Sequence, residues 1–393
     1  MTPASLLPGW RAVFALPNLA LAAPINNELA ALVPASDMRL RQLTHDQPTL
    51  RAFLRRFSDT FGERVEAAVL LLRSDAPPAL NEIGAIASFR DAIAISAISA
   101  ARAQELLHPR GHRVLFGDSF AFYPWMVDSH DEHLIGSTPA LLGVHDVSAF
   151  HGQSAPGLFR TPLDARDLDA PLLNALLSRW RRRHLSDDPE WADIALMRSL
   201  NMAHHASLLP AAADTTFYDV GRLISLWVSA FEILVHPGGS GVANRDRVFA
   251  LLERTPWQRA TSAKAAYDTG GKTKIHRTLA SWLYQALNDR RNDFLHGNPI
   301  GRDALVLPIS GRNLFEYAAP LYRLALTAFL ELSPDEPLRP PSRPQALDEA
   351  IVRRMTFLDP QRAVEDALLT AVRPPEEPTS PRRRRVTRPA PND

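Results

Sequence analysis

The ten residues Arg290-Arg291-Asn292-Asp293-Phe294-Leu295-His296-Gly297-Asn298-Pro299 constrain the fold more than any other stretch. Leu279, Trp282, Leu283, Ala286, Leu287, Phe294 and Leu295 recur at helical spacing and give one long helix a core-facing stripe. Gly297 suits the left-handed residue just past a helix end, and Pro299 stands where a helix must already have stopped. The pattern therefore predicts a helix over Lys274 to His296. His296 falls in its last turn, where the negative end of the helix dipole favours an imidazolium. Arg291 lies five residues earlier, so the two side chains diverge by roughly 140°, with a rise of about 7.5 Å. Either the long Arg brings its guanidinium to the imidazole, or the two flank a groove. Together they suit a phosphodiester: the Arg fork holds two phosphate oxygens and the His moves a proton.

Other helices gather around this one. Leu172 to His184 reads as a helix. Asp187 or Asp188 is placed to cap the next, with Pro189 in its first turn and an end near Leu209. Phe217 to Val235 follows and stops at Pro237-Gly238-Gly239, then Arg245 to Leu252 and, after the motif helix, Leu314 to Leu332. That is the helix count of an α-bundle. The N-terminal part is mixed. Thr49 to Phe61 and Ser88 to Leu107 read as helices, Ala67 to Leu72 and Val114 to Met126 as strands, the latter with Phe120 and Phe122 on one face. Leu134 to Gln153 reads as loops with short strands, and the polar run Asp164 to Asp169 marks a boundary. The fold class expected is mainly α: a mixed α+β domain over 1–165, a helical bundle over 166–335, and a Pro/Arg-rich extension over 336–393. The extension begins with a Pro-rich linker, holds two short helices (Ala346 to Phe357, Gln361 to Val372) and ends in a disordered tail from about Arg373.

Two segments resemble partners of the motif helix. Arg198-Ser199-Leu200-Asn201-Met202-Ala203 lies on one candidate helix, and Leu226-Trp227-Val228-Ser229-Ala230-Phe231-Glu232-Ile233-Leu234-Val235-His236-Pro237 on another, with a single acid inside an apolar run. With Arg291, Asn292 and His296 closing a later helix, their order and spacing across roughly 190–330 resemble the Apea-like branch of the HEPN superfamily. The resemblance implies a HEPN-type bundle and a metal-independent endoribonuclease acting as a homodimer, with two motif helices sharing one cleft. It also implies a setting in phage defence or a toxin system, which many members serve. The N-terminal domain would then sense or select the target. Some HEPN domains are instead non-catalytic nucleic-acid-binding or scaffold modules, and this is the alternative.

Composition narrows the chemistry. Of 393 residues, 46% are hydrophobic, enough for two modest cores. Lys+Arg 44 against Asp+Glu 43 leaves +1, so RNA affinity must come from local patches. The absence of Cys excludes disulfides, thiolate metal sites and a Cys nucleophile, and suits the cytoplasm. No apolar run is read as reaching the about 20 residues of a membrane span. The apolar start, Ala12 to Pro24, is interrupted by Pro17 and Asn18 and preceded only by Arg11, unlike a signal sequence. No cofactor is implied.

Glu232 is either a helix-to-helix partner that positions Arg291 or a member of the site; a buried acid needs such a partner. Asn292, four residues before His296, either orients the ring, binds a phosphate oxygen, or is a plain surface residue. The basic run Arg179-Trp180-Arg181-Arg182-Arg183-His184 either complements a helix dipole or, through Arg179 and Arg182 and, beside the motif, Arg290, contacts an RNA backbone while Trp180 stacks a base. Arg382 to Arg385 is a loose tether for nucleic acid or an acidic partner, or a solubilising run. Thr269-Gly270-Gly271-Lys272-Thr273 lacks the first Gly of a P-loop, with Ala266 in its place, and reads as a flexible loop. His130-Asp131-Glu132-His133, with His145 and His151, is not a zinc-binding spacing and reads as a solvated turn. No metal site is expected. His204 and His205, adjacent on a helix, read as ordinary.

Overall fold

A computed structural model describes residues 9–59, 61–109, 119–125, 133–137, 142–146, 163–208, 216–270, 274–334 and 344–374. The protein is mainly helical with a small antiparallel sheet. The N-terminal part contains β1 (Trp10–Leu16), β2 (Ile25–Asn26), β3 (Ala30–Val33), α1 (Met38–Asp46), α2 (Pro48–Leu54), β4 (Ala68–Arg73), the long α3 (Ile83–Leu107), β5 (Tyr123–Pro124) and the hairpin β6 (His133–Ser137) and β7 (Leu142–Asp146). There follow α4 (Ala170–Leu185), α5 (Trp191–Ser207), α6 (Phe217–Leu234), α7 (Arg245–Glu253), the hairpin β8 (Tyr267–Asp268) and β9 (His276–Arg277), then α8 (Leu279–Leu295), α9 (Ala318–Phe329) and α10 (Pro344–Leu369).

The sheet runs in the order β2-β3-β4-β1-β5. Its period of two divides the apolar residues between two layers. Val69 and Leu71 of β4 face α1 and α2, packing with Leu40, Leu50 and Phe53. Ala68, Leu70 and Leu72 face α3 and the bundle. In β1 a register shift between Ala12 and Phe14 lets Val13 and Phe14 join the same core. The apolar start is therefore a strand paired on both edges, with β4 on one side and β5 on the other.

The large core runs without a break from this sheet face through α3 to α9. α3 packs on α4, α5, α9 and α10, so the boundary near residue 165 is a change of secondary-structure content rather than a gap in packing. α3 corrects one expectation. By length and composition it could cross a membrane, but 78% of its apolar window is buried, as in a core helix. It also begins at Ile83, earlier than Ser88.

Other boundaries moved for local reasons. α2 stops at Leu54 rather than Phe61. α5 starts at Trp191 with Glu190 at its cap position, because Pro189 holds the residue before it extended; Asp187 and Asp188 do not cap it. α8 starts after Thr278, whose hydroxyl accepts the Ser281 N–H, while Lys274 to Arg277 belong to the β8–β9 hairpin. The two short helices expected in the extension are one helix, α10, with Pro360 inside it. The φ of Pro fits a helix and its ring removes one hydrogen bond. Buried Phe357, Leu358, Val364 and Leu368 on either side hold the helix through it. Of the strand expected over Val114 to Met126, the described part pairs at Tyr123–Pro124, and Phe120 and Phe122 both reach the large core. The tail beyond residue 374 lies outside the described residues.

A buried polar chain ties the extension to the bundle. Asp169 caps α4 and accepts from Arg323 Nε at 2.8 Å, with side chains 2% and 0% exposed. Arg323 also donates to Gln361, which donates to Glu365 at 2.8 Å. The Glu365 carboxylate accepts the backbone N–H groups of Gln258 and Arg259 at 2.8 and 2.7 Å.

Candidate active site

The end of α8 forms as its sequence dictates. His296 is the C-cap residue, and its N–H donates to Asn292 O at 2.9 Å. Gly297 adopts φ +68°, a conformation that favours glycine, and Asn298 N–H returns to Asp293 O at 3.0 Å. These are the features of a Schellman stop. Leu279, Leu283 and Leu287 are buried. Leu295, expected in the apolar stripe, is 60% exposed, since it leaves the stripe as the helix ends.

α8 lies against α6, and Gly221 is what lets them close. A Cβ there would sit 2.5 Å from the Phe294 ring, so only glycine leaves room. Phe217 packs on the same ring at 5.4 Å between centroids. Further along the pair, Tyr284, Asn288 and Arg291 share one side of α8. Arg291 Nη2 reaches Glu232 Oε2 at 3.7 Å, both side chains about one-quarter exposed. Its Nη1 donates to Asn292 Oδ1 at 3.2 Å, and its Nε is buried with no partner among the described residues.

Burial pushes the Glu232 carboxyl up, and the Arg291 charge pulls it partly back. The phenol of Tyr284 is pushed far up by burial and then by Glu232, so it stays neutral. Its hydroxyl has no hydrogen-bond partner among the described residues. The result is a partly exposed cluster of one cation, one reluctant anion and one phenol without a partner among the described residues. Sequence reasoning missed Tyr284; its position one heptad before Arg291 was the available signal.

The two motif residues do not meet. A long helical side chain leans toward the helix N-terminus, and Arg291 does so, toward Glu232 and away from His296. His296 stands exposed at the helix end. Arg291 is thus tied to α6 through Glu232, while no hydrogen bond joins it to the exposed His296. Asn292 spends its side-chain oxygen on Arg291 rather than on the imidazole.

The remaining candidates are placed as follows. Arg290 pairs with Asp293 at 2.9 Å. Arg179 pairs with the buried Asp193 at 2.8 Å and Arg182 approaches it at 3.6 Å, a tie between α4 and α5. Trp180 is buried and donates to Ala85 O, so it cannot stack a base from solvent. His130, Asp131, Glu132, His151 and Arg382 to Arg385 lie outside the described residues, as do Gly271, Lys272 and Thr273. Among the described residues no three His, Asp or Glu gather as metal ligands. His204, read as ordinary, is buried with Nδ1 at 3.4 Å from Asp91 Oδ1. That contact is not an ion pair, because burial and then Arg90 hold the imidazole neutral. Asp91 is served instead by Arg90 at 2.8 Å and Asn201 at 3.2 Å.

The protein is mainly helical, and its candidate site lies where α6 packs against α8. Scans of family models, curated proteins and solved structures return no match to the chain.

Proposed function

We propose that this protein is a metal-independent endoribonuclease of HEPN type, acting in the cytoplasm as a homodimer on RNA. The observation that carries the reading is an exposed His296 at the end of α8, five residues after a partly exposed Arg291 on the same helix. Phosphodiester cleavage by the 2′-hydroxyl needs a proton acceptor, a proton donor and charge stabilisation at phosphorus. The 2′-oxygen forms a bond to phosphorus, the 5′-oxygen leaves with a proton, and a 2′,3′-cyclic phosphate results. One chain supplies one His on one side of α8 and one Arg on another. A second copy would supply the missing pair. Exposed Tyr218 and Leu295, next in sequence to the packed rings of Phe217 and Phe294, are apolar surface that such a copy would cover.

A second reading is favoured by the Arg291–Glu232 contact: Arg291 serves as a helix-to-helix tie in a non-catalytic nucleic-acid-binding or scaffold protein. Labelled RNA incubated with wild type, His296→Ala and Arg291→Ala, with and without chelator, separates the two. The nuclease reading expects cyclic-phosphate ends, no effect of chelator, and a loss of about 10²–10⁴-fold without the His. His296→Ala cutting as fast as wild type replaces it with the binding reading. Unfolding by Arg291→Ala makes that Arg a structural partner of Glu232.

A further inference from the structure

A cleft of about 620 Å3 opens along the other side of α8, between that helix, the β8–β9 hairpin, the start of α7 and the segment around Asp303. Trp282 and Arg291, nine residues apart, point about 180° apart around the helix. Trp282, Asp289 and His296 recur every seven residues and share a side. The cleft therefore lies on the side of α8 opposite Arg291, with Arg290 the last residue of that helix to line it.

Its lining divides into groups already satisfied and groups still free. Asp289 accepts from Gln285 Nε2 at 2.5 Å, and Arg290 is held by Asp293 at 2.9 Å. Gln285 Oε1 is buried with no partner among the described residues. Neither the Arg245 guanidinium, 5.7 Å from the Phe249 ring centroid, nor the Asp303 carboxylate has a hydrogen-bond or ion-pair partner among them. Trp282 is half-buried and braced by Tyr267 at 6.0 Å. A third carboxylate in the lining, Asp268, has one oxygen on the Gly270 N–H at 3.0 Å. Beside it, the Arg245 cation, the Asp303 carboxylate, one amide oxygen and the indole remain for a ligand.

We propose that this cleft is a nucleotide site holding one nucleoside monophosphate unit. The base stacks on Trp282, its N–H groups or the ribose hydroxyls donate to Gln285 Oε1 and Asp303, and the phosphate lies on Arg245. A peptide cation would use the acid and the indole but leave Arg245 opposed; a simple anion would leave the indole and both acceptors unused. The volume lies within the range of small-ligand sites. Such a unit comes either from a free nucleotide or from an RNA strand whose next phosphates approach His296, about 10 Å along the helix from Asp289. The binding claim does not rest on the nuclease reading.

The test uses the full chain carrying His296→Ala, so that no probe is consumed. Adenosine monophosphate and guanosine monophosphate are titrated calorimetrically, and a short labelled single-stranded RNA by polarisation. Arg245→Ala and Asp303→Asn change exposed residues and should leave the melting temperature unchanged. Each is expected to weaken binding on the order of tenfold, and Trp282→Phe less, since a ring remains. Saturable mononucleotide binding assigns the free nucleotide as a source. RNA binding weakened by the same variants, without mononucleotide binding, assigns the strand. Absence of both, or binding indifferent to Arg245→Ala and Asp303→Asn, overturns the proposal. Neither outcome depends on whether His296 cuts RNA.

Discussion

Two arginine–carboxylate pairs in this molecule look alike in sequence and differ in kind. Arg323 and Asp169 are almost unexposed and 2.8 Å apart, with Asp169 also capping a helix and Arg323 also bound to Gln361, while Arg323 Nη2 is buried with no partner among the described residues. Arg291 and Glu232 are about one-quarter exposed and 3.7 Å apart, with a buried Nε and a neighbouring phenol both unmet. The first arrangement is what a buried charge requires to be tolerated at all. The second stays partly exposed where α6 packs against α8. Each guanidinium keeps one buried nitrogen without a partner among the described residues, so burial and contact distance, not hydrogen-bond completeness, separate the two pairs.

The sharpest way to break this contrast is to remove one partner from each pair. Arg323→Ala leaves Asp169 buried and uncompensated, and should cost about 3–5 kcal/mol in a urea melt. Arg291→Ala should cost under about 1 kcal/mol, because its pair is long and partly solvated. Equal losses would make both pairs structural. Between these lies Gly221→Ala, which drives a methyl into the Phe294 ring. It should cost about 1–3 kcal/mol. It should also reduce RNA cleavage by displacing the end of α8, if that end carries the catalytic His. A cost near zero would mean that α6 and α8 separate freely.

Acidity sharpens the same contrast. Burial raises the Glu232 pKa above its unfolded value, and Arg291 offsets only part of that rise. The folded state therefore holds the Glu232 proton more tightly than the unfolded state. Its contribution is most favourable below the unfolded pKa and declines as pH rises through the folded one. Glu232→Gln should then be modestly more stable than wild type at pH 7, with the difference closing near pH 4. A variant less stable at pH 7 would show that the Arg291 contact outweighs burial.

How much of this was legible beforehand depended on whether the signal was local. The end of α8 was, because Gly297, Pro299 and the apolar spacing each act within one turn. The Glu232–Arg291 contact was among the open readings, since an acid inside Phe231-Glu232-Ile233-Leu234 needs a partner. Tyr284 was not legible, because an aromatic on a core face looks like any other until its hydroxyl is seen to lack a partner. The continuity of α10 was hidden for a related reason: Pro360 breaks a local pattern that distant packing restores. The direction of Arg291 was also out of reach, since spacing fixes where a side chain starts and not where a long one goes.

The smallest expected effect tests whether the Tyr284 phenol lacks a partner in solution. Tyr322 and Tyr284 are both buried tyrosines in the ring cluster around Phe231, 5.4 and 5.2 Å from it. The hydroxyl of Tyr322 is 2.6 Å from Ser199 Oγ, whereas that of Tyr284 has no partner among the described residues. Replacing a satisfied hydroxyl by hydrogen should cost about 0.5–1.5 kcal/mol, so Tyr322→Phe should lower stability by that amount. Tyr284→Phe keeps the ring against Phe231 and Phe249 and removes only an unmet donor. It should leave the urea midpoint unchanged or raise it slightly. If Tyr284→Phe costs as much as Tyr322→Phe, the Tyr284 phenol is hydrogen-bonded in solution as the Tyr322 phenol is.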